Sequence, residues 1–171
     1  MLNASRLDVR GRLRSVLSLL LASVALAVQA APPRAVEAFD SSTWPALQGE
    51  LKQPAAVVFT TTDCAHCPAV IQGLARTLQQ RHLPAGLVVV VMDLAPGEND
   101  AALLADLHYR PADRLLAFDG QAAALRYGVN PQWRGVTPYV ALLAPKAQTL
   151  AVTGPPSAAD LDTWVRNFRS R

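Results

Sequence analysis

Cys64 and Cys67, in Cys64-Ala65-His66-Cys67, are the only cysteines of the 171-residue chain, and their spacing gives them a chemistry neither has alone. Two thiols three positions apart at the start of a helix lie one turn from each other, close enough to close and reopen a disulfide. Pro68 to Arg81 carries Val70, Ile71, Leu74 and Leu78 at helical spacing, so the pair falls at a strand-to-helix junction. Unpaired N–H groups and the positive end of the helix dipole favour a thiolate there, and in such motifs the first thiol's pKa falls from about 8.5 to between roughly 3.5 and 7.5. Cys64 is therefore read as the nucleophile and Cys67 as the buried resolving thiol. Disulfide exchange by such a pair needs no organic cofactor and no metal.

Other chemistries compete for the same residues. A structural disulfide is one, although a bridge closing so short a loop removes little unfolded-state entropy. Haem attachment requires a histidine directly after the second cysteine, where Pro68 stands. A zinc site needs about four ligands, and besides two thiols the chain offers His66, His82 and His108, with only His66 at ligand spacing. An imidazole inside the motif that is protonated or donates to sulfur favours the Cys64 thiolate and makes the disulfide more oxidising. The plainer reading of His66 is an exposed helix-start residue with little influence.

The elements that must position this pair are legible in the apolar pattern. Ala55 to Thr61 and Leu87 to Met92 are short β-branched runs without alternation, as expected of strands buried on both faces. With the intervening helix they make a parallel βαβ unit with a right-handed crossover. Ahead of it, Ser42-Thr43-Trp44-Pro45 reads as a helix start, capped by a hydroxyl and ending near Gln53-Pro54. Beyond Asp93, a turn at residues 96–100 opens a helix through Leu103, Leu104 and Leu107, and Leu115 to Phe118 adds a short strand. Gln121 to Tyr127 is a helix stopped by Gly128. Tyr139 to Ala144 and Thr149 to Thr153 form an antiparallel hairpin, and a final helix has capping-box spacing at Ser157 and Asp160 with Leu161, Trp164, Val165 and Phe168 on one face. Asp93, Glu98 and Asp100 suggest either a cation site or, better, a solvated turn.

The first thirty residues stand apart from this pattern. Arg6, Arg10, Arg12 and Arg14 precede an apolar run from Val16 to Val28, which marks a secretory signal with cleavage fitting best between Ala30 and Ala31. A run of roughly thirteen residues is shorter than the approximately 20 needed to span a bilayer, so cleavage is favoured over an N-terminal membrane anchor from Leu13 to Ala31. The chain divides into a signal peptide at 1–30, a Pro-containing linker at 31–41 and one domain at 42–171, in a periplasmic or otherwise exported protein. The net charge of +3 belongs to the signal, since removing its four arginines and Asp8 leaves twelve basic and twelve acidic residues. A near-neutral domain lacks the clustered basic face that nucleic acid requires, and a membrane becomes a partner only if the signal segment stays uncleaved.

Val57-Val58-Phe59-Thr60 leading to Cys64-Ala65-His66-Cys67 resembles the active-site strand and helix of thioredoxin-like proteins. Gly135-Val136-Thr137-Pro138-Tyr139 resembles their cis-proline loop, and Tyr127-Gly128-Val129 precedes it as in the TlpA/ResA-like periplasmic thiol–disulfide oxidoreductases. The helix and strand between Asp93 and Asp119 match that branch's central insertion. The resemblance covers about Thr43 to Phe168. It implies an α/β thioredoxin fold, a central mixed sheet flanked by helices on both faces, with that helix–strand insertion. It implies protein thiols or disulfides as substrates, with a further, unidentified redox partner. It also implies that Thr137-Pro138 lies beside the cysteines with a cis peptide bond, and that the Thr137 backbone pairs with an extended substrate segment; a lone Thr-Pro otherwise reads as an ordinary start of a strand.

His66 is similar to its counterpart in the Cys-Pro-His-Cys of Dsb-type oxidases. Other positions depart from the pattern. Asp63 replaces the tryptophan that usually precedes the first cysteine, Val58 stands where thioredoxins carry a buried aspartate, and Val70 stands where ResA-like proteins carry a glutamate. Two alternatives follow. Cys67-Pro68 echoes the copper-binding assembly factors of the Sco type, which use a Cys-x-x-x-Cys spacing and a distal histidine, whereas no histidine follows His108 here. The lost acids also permit a thioredoxin-fold binding module without turnover. Trp133 and Tyr139 either line an apolar peptide groove or, by default, pack against the core.

Overall fold

The two unbroken apolar runs become the middle of a six-stranded sheet in the computed structural model, which describes residues 32–169. The chain runs β1 (Val36–Phe39), α1 (Thr43–Gly49), β2 (Ala55–Thr60), α2 (Cys67–Gln80), β3 (Gly86–Val91), α3 (Asp100–Ala105), β4 (Arg114–Phe118), α4 (Ala122–Val129), β5 (Tyr139–Leu143), β6 (Leu150–Thr153) and α5 (Ala158–Arg169). Strand order is β1-β4-β3-β2-β5-β6. The first four are parallel neighbours, β5 runs antiparallel to β2, and β6 closes a hairpin on β5. The signal segment lies outside the described residues, among which no helix is long and apolar enough to cross a membrane.

Why the central strands read as continuous apolar runs is clear from where their side chains go. Val58, Val89, Leu115 and Val140 face a cluster with Val70, Ile71, Leu74 and Leu78 of α2, Leu103 of α3, and Leu161 and Trp164 of α5. Their neighbours Val57, Phe59, Val90, Leu116 and Tyr139 face a second cluster with Trp44 of α1, Leu125 of α4 and Trp133. Successive side chains of a strand point to opposite faces, so a strand covered on both sides has no polar position to spare. Each large side chain so buried contributes roughly 1.5–3 kcal/mol. Trp164 also donates its indole N–H to the Leu143 carbonyl at 2.7 Å, which fixes α5 to the sheet.

Four expectations change. Helix α3 ends at Ala105, so Leu107, expected on its apolar face, lies beyond its end and is exposed. Val36–Phe39, placed in the linker, is an edge strand paired in register with Leu115–Phe118 of the insertion. Its four residues are too short and too mixed to announce a strand, and a bidentate ion pair across the edge, Arg114 to Glu37, helps hold them. Helix α1 is not capped by a hydroxyl: Oδ1 of Asp40 accepts from the Ser42 and Thr43 backbone N–H groups at 2.9 and 3.0 Å and from both hydroxyls. It ends at Gly49, with the Glu50 N–H bonded to Ala46, well short of Pro54. Helix α4 runs through Gly128 to Val129 and stops because Asn130, directly before Pro131, is driven to an extended backbone at φ −157°. The capping box of α5 forms as expected, the Asp160 carboxylate accepting from the Ser157 N–H and the Ser157 hydroxyl accepting from the Asp160 N–H.

Tyr109, which follows α3, is buried in the first cluster. Burial, aided by the charges of Asp106 and Asp93, pushes its phenol up to about 12. The unfolded chain therefore loses this proton near pH 10 while the folded chain keeps it, so the stability it carries is full below pH 10 and drains away as pH rises towards 12. Denaturant titrations should show the wild type losing up to about 2–3 kcal/mol more than Tyr109→Phe across that interval. Parallel curves for the two proteins would refute the assignment.

Candidate functional site

Beyond Thr60 the chain leaves the sheet in a tight loop. The Cys64 N–H bonds the Thr61 carbonyl at 3.2 Å, the Cys67 N–H bonds the Cys64 carbonyl at 3.2 Å, and α2 begins at Cys67 itself. Cys64 thus sits in the turn just ahead of the helix. The two sulfurs are joined, with the Cα atoms 5.5 Å apart. Cys67 is 1% exposed and Cys64 partly exposed, so a reagent from solvent meets Cys64 first. No acidic residue occupies the first turn of α2 and no side chain caps it, which leaves the positive end of the helix facing the cysteine loop.

His66 is the cap residue by position, but its side chain makes no cap bond and is exposed. It borders a groove of about 400 Å³ floored by Ala69 and Gly73 of α2 and walled by Pro155 and Pro156. His66 is therefore exposed, as its plainer reading holds, and still lies next to the disulfide.

The Thr137–Pro138 peptide bond is cis. Phe59 of β2 pairs with Tyr139 of β5, so the next step of the register sets Pro138 beside Thr60, at the end of the sheet where the cysteine loop starts. The Gly154 N–H bonds the Pro138 carbonyl at 2.7 Å. Among the described residues, no backbone hydrogen bond involves Thr137. Trp133 braces this loop by donating its indole N–H to the Val136 carbonyl at 3.1 Å while stacking on Tyr139 at 4.3 Å, and the Asn130 amide donates to the Tyr139 hydroxyl at 2.9 Å. Both aromatics are buried, in agreement with their reading as core.

The positions lacking the expected acids are apolar in fact. Val58 is fully buried and Val70 nearly so, and among the described residues Thr60 is the only buried polar or charged side chain. Its hydroxyl donates to the Thr61 carbonyl at 3.1 Å. Of the three carboxylates read as a turn, Glu98 and Asp100 accept the N–H groups of Ala95 and Gly97 within their own loop. Asp93 does not belong with them: both its oxygens accept the Thr62 N–H at 3.0 Å, and Oδ2 also accepts the Thr62 hydroxyl. A contact 31 residues long leaves no local signal in a sequence. Among the described residues, no group of three or more metal-binding side chains stands together. His108 lies instead beside Asp106, 3.1 Å away.

Neither a protein-family model nor a curated protein matches the chain. Solved structures do. A candidate thioredoxin of Neisseria meningitidis superposes over 74% of this chain and 82% of its own with a TM-score of 0.51 at 20% identity. The chain has the thioredoxin fold. DsbF of Mycobacterium tuberculosis matches over 69% of this chain and 82% of its own at 20% identity with a TM-score of 0.46. A secreted disulfide oxidoreductase of the same organism, homologous to DsbE of E. coli, matches over 71% and 84% at 18% identity, again with a TM-score of 0.46.

Gly135 opens the proline loop of this thioredoxin fold at φ +82°, and a Cβ there would meet Nε of Arg126 at 3.1 Å. Both the left-handed backbone and the contact disfavour any side chain. Gly135→Ala should lower unfolding stability by about 1–2 kcal/mol in denaturant titration. A stability equal to wild type would show that the loop adapts without cost.

Proposed function

We propose that this protein is an exported thiol–disulfide oxidoreductase that exchanges disulfides with protein substrates through Cys64 and Cys67, without organic cofactor or metal. The observation that carries the reading is the pairing of a partly exposed sulfur with a buried one, ahead of an uncapped helix and at the sheet end that holds a cis-proline loop. The Arg-led apolar segment before Ala31 supports export, to the periplasm or an equivalent compartment.

The Cys64 thiolate attacks one sulfur of a substrate disulfide, forming a mixed disulfide and expelling a substrate thiolate that takes up a proton. Cys67 then gives up its proton and attacks the Cys64 sulfur, expelling the second substrate thiolate. Two electrons pass from the pair to the substrate, which leaves as a dithiol, and the pair is left oxidised for a redox partner to reduce. The reverse order oxidises a substrate dithiol. The free backbone of Thr137 beside Pro138 would hold an extended substrate segment by main-chain hydrogen bonds, and the groove beside His66 would take apolar residues flanking the substrate cysteine. With valines at 58 and 70, proton transfer to and from Cys67 falls to water or the substrate. That favours slow turnover with a particular substrate over fast general reduction. A donor set of two thiols and one exposed imidazole does not favour the copper reading.

Cys64→Ser should abolish reduction of a model protein disulfide, while Cys67→Ser should accumulate the mixed disulfide, visible by mass under non-reducing conditions. Retained turnover in Cys64→Ser would end the proposal. Equilibration with glutathione gives the direction, about −120 mV indicating an oxidase and about −270 mV a reductase. His66→Ala should move that potential to more negative values by roughly 30 mV, a tenfold change in equilibrium constant; no shift would remove the oxidant argument.

A further inference from the structure

The loop that carries Cys64 is fixed at its start by β2 and at its end by α2, and between them stands Thr62, whose partner comes from elsewhere. The Met92 N–H bonds the Thr60 carbonyl at 2.9 Å, the last contact of the β2–β3 pair. One residue further on, the Asp93 carboxylate receives the Thr62 N–H at 3.0 Å on each oxygen and the Thr62 hydroxyl at 2.5 Å on Oδ2. Asp93 therefore continues the strand pairing through a side chain, past the point where the backbones diverge. The next turn is the Cys64 N–H to Thr61 carbonyl bond, so the clamped residue lies inside the turn that sets the Cys64 backbone. Three hydrogen bonds to a charged acceptor, two of them at one N–H, define an orientation better than a single contact would.

We propose that Asp93 is a positioning residue for Cys64: through Thr62 it holds the nucleophile's turn in the one arrangement from which Cys64 and Cys67 close on each other. The proposal deepens the exchange reading and rests on it for its purpose. The constraint works through effective concentration, because a disulfide closes in proportion to how often its two sulfurs meet in bonding geometry. A carboxylate near the nucleophile also acts through its charge, which opposes the thiolate, destabilises the open form and so favours closure as well. The two effects separate by chemistry: Asp93→Asn removes the charge and keeps an oxygen acceptor for Thr62, whereas Asp93→Ala removes both.

The test is equilibration of the full chain with glutathione, following the constant for closing the pair, beside the melting temperature of each variant. Asp93→Ala should lower the closing constant about tenfold, about 30 mV, and Asp93→Asn should lower it by less than threefold. A change under threefold in Asp93→Ala overturns the proposal, even if the melting temperature falls, because that is the mark of a purely structural contact. So does a loss in Asp93→Asn as large as in Asp93→Ala, which would make the effect one of charge. Should Asp93→Ala not fold, Thr62→Ala decides: a threefold loss is expected from removing the hydroxyl, and an unchanged constant refutes the clamp. The closing constant needs no substrate protein. A wild type that exchanges nothing with protein disulfides would thus sink the proposed function and leave this measurement standing.

Discussion

Strand β2 is hydrogen-bonded on both edges, by β3 and β5, and covered on both faces, so a polar side chain first reaches water in the loop beyond Thr60. This constraint places everything else. The helix that covers one face of β2 must start from that loop, and its amino end is therefore delivered to the same corner. The antiparallel partner β5 must begin there too, which brings Pro138 beside the cysteines although 70 residues or more separate them in the chain. The reactive corner is where the most buried strand runs out, and its geometry follows from sheet pairing.

The same constraint shapes the electrostatics. A two-sided apolar core leaves no room for a charge, and Val58 and Val70 fill their places in it with methyl groups. Polarity comes from the rim: the open end of α2, the exposed imidazole of His66, and the carboxylates of Asp63 and Asp93. Asp63 has no hydrogen-bonded partner among the described residues, whereas Asp93 is engaged three times by Thr62. Two acids of equal charge at one rim thus do different work, one left to solvent and the other tied into the backbone. An exposed carboxylate contributes little to stability by itself, so its value here lies in geometry.

What the sequence made legible follows the range of the interactions. Strands β2 and β3, helix α2 and the hairpin β5–β6 were plain, because their cause is local apolar pattern and turn chemistry. The cysteine pair was plain for the same reason, since its spacing encodes its geometry. Strand β1 was hidden: Val36–Phe39 has no strand character of its own and is a strand because Leu115–Phe118 needs a partner at the sheet edge. The cap of α1 was displaced by two residues because Ser42 adopts helical dihedrals, leaving Asp40 to accept the free N–H groups. Helix α4 stops ahead of Pro131 and not at Gly128, because proline forbids a helical residue before it whereas glycine only permits a break. Asp93 leaves no signal of its role, because its partner is 31 residues away and the residue reads as any other turn acid.

The insertion between Asp93 and Asp119 also shapes the sheet beside the cysteines. Strand β4 stands between β3 and β1, so β3 is an interior strand and the loop that leaves it is held on two sides. Tyr109, buried in the core just after α3, and the Asp113 carboxylate, which accepts the Leu87 N–H at 2.6 Å, tie the insertion to the core and to the start of β3. Asp93 lies at the first residue free of that sheet. A carboxylate on an edge strand would share the looseness of the edge. One that leaves a strand flanked on both sides inherits the rigidity of the sheet and passes it, through Thr62, to the turn that carries Cys64.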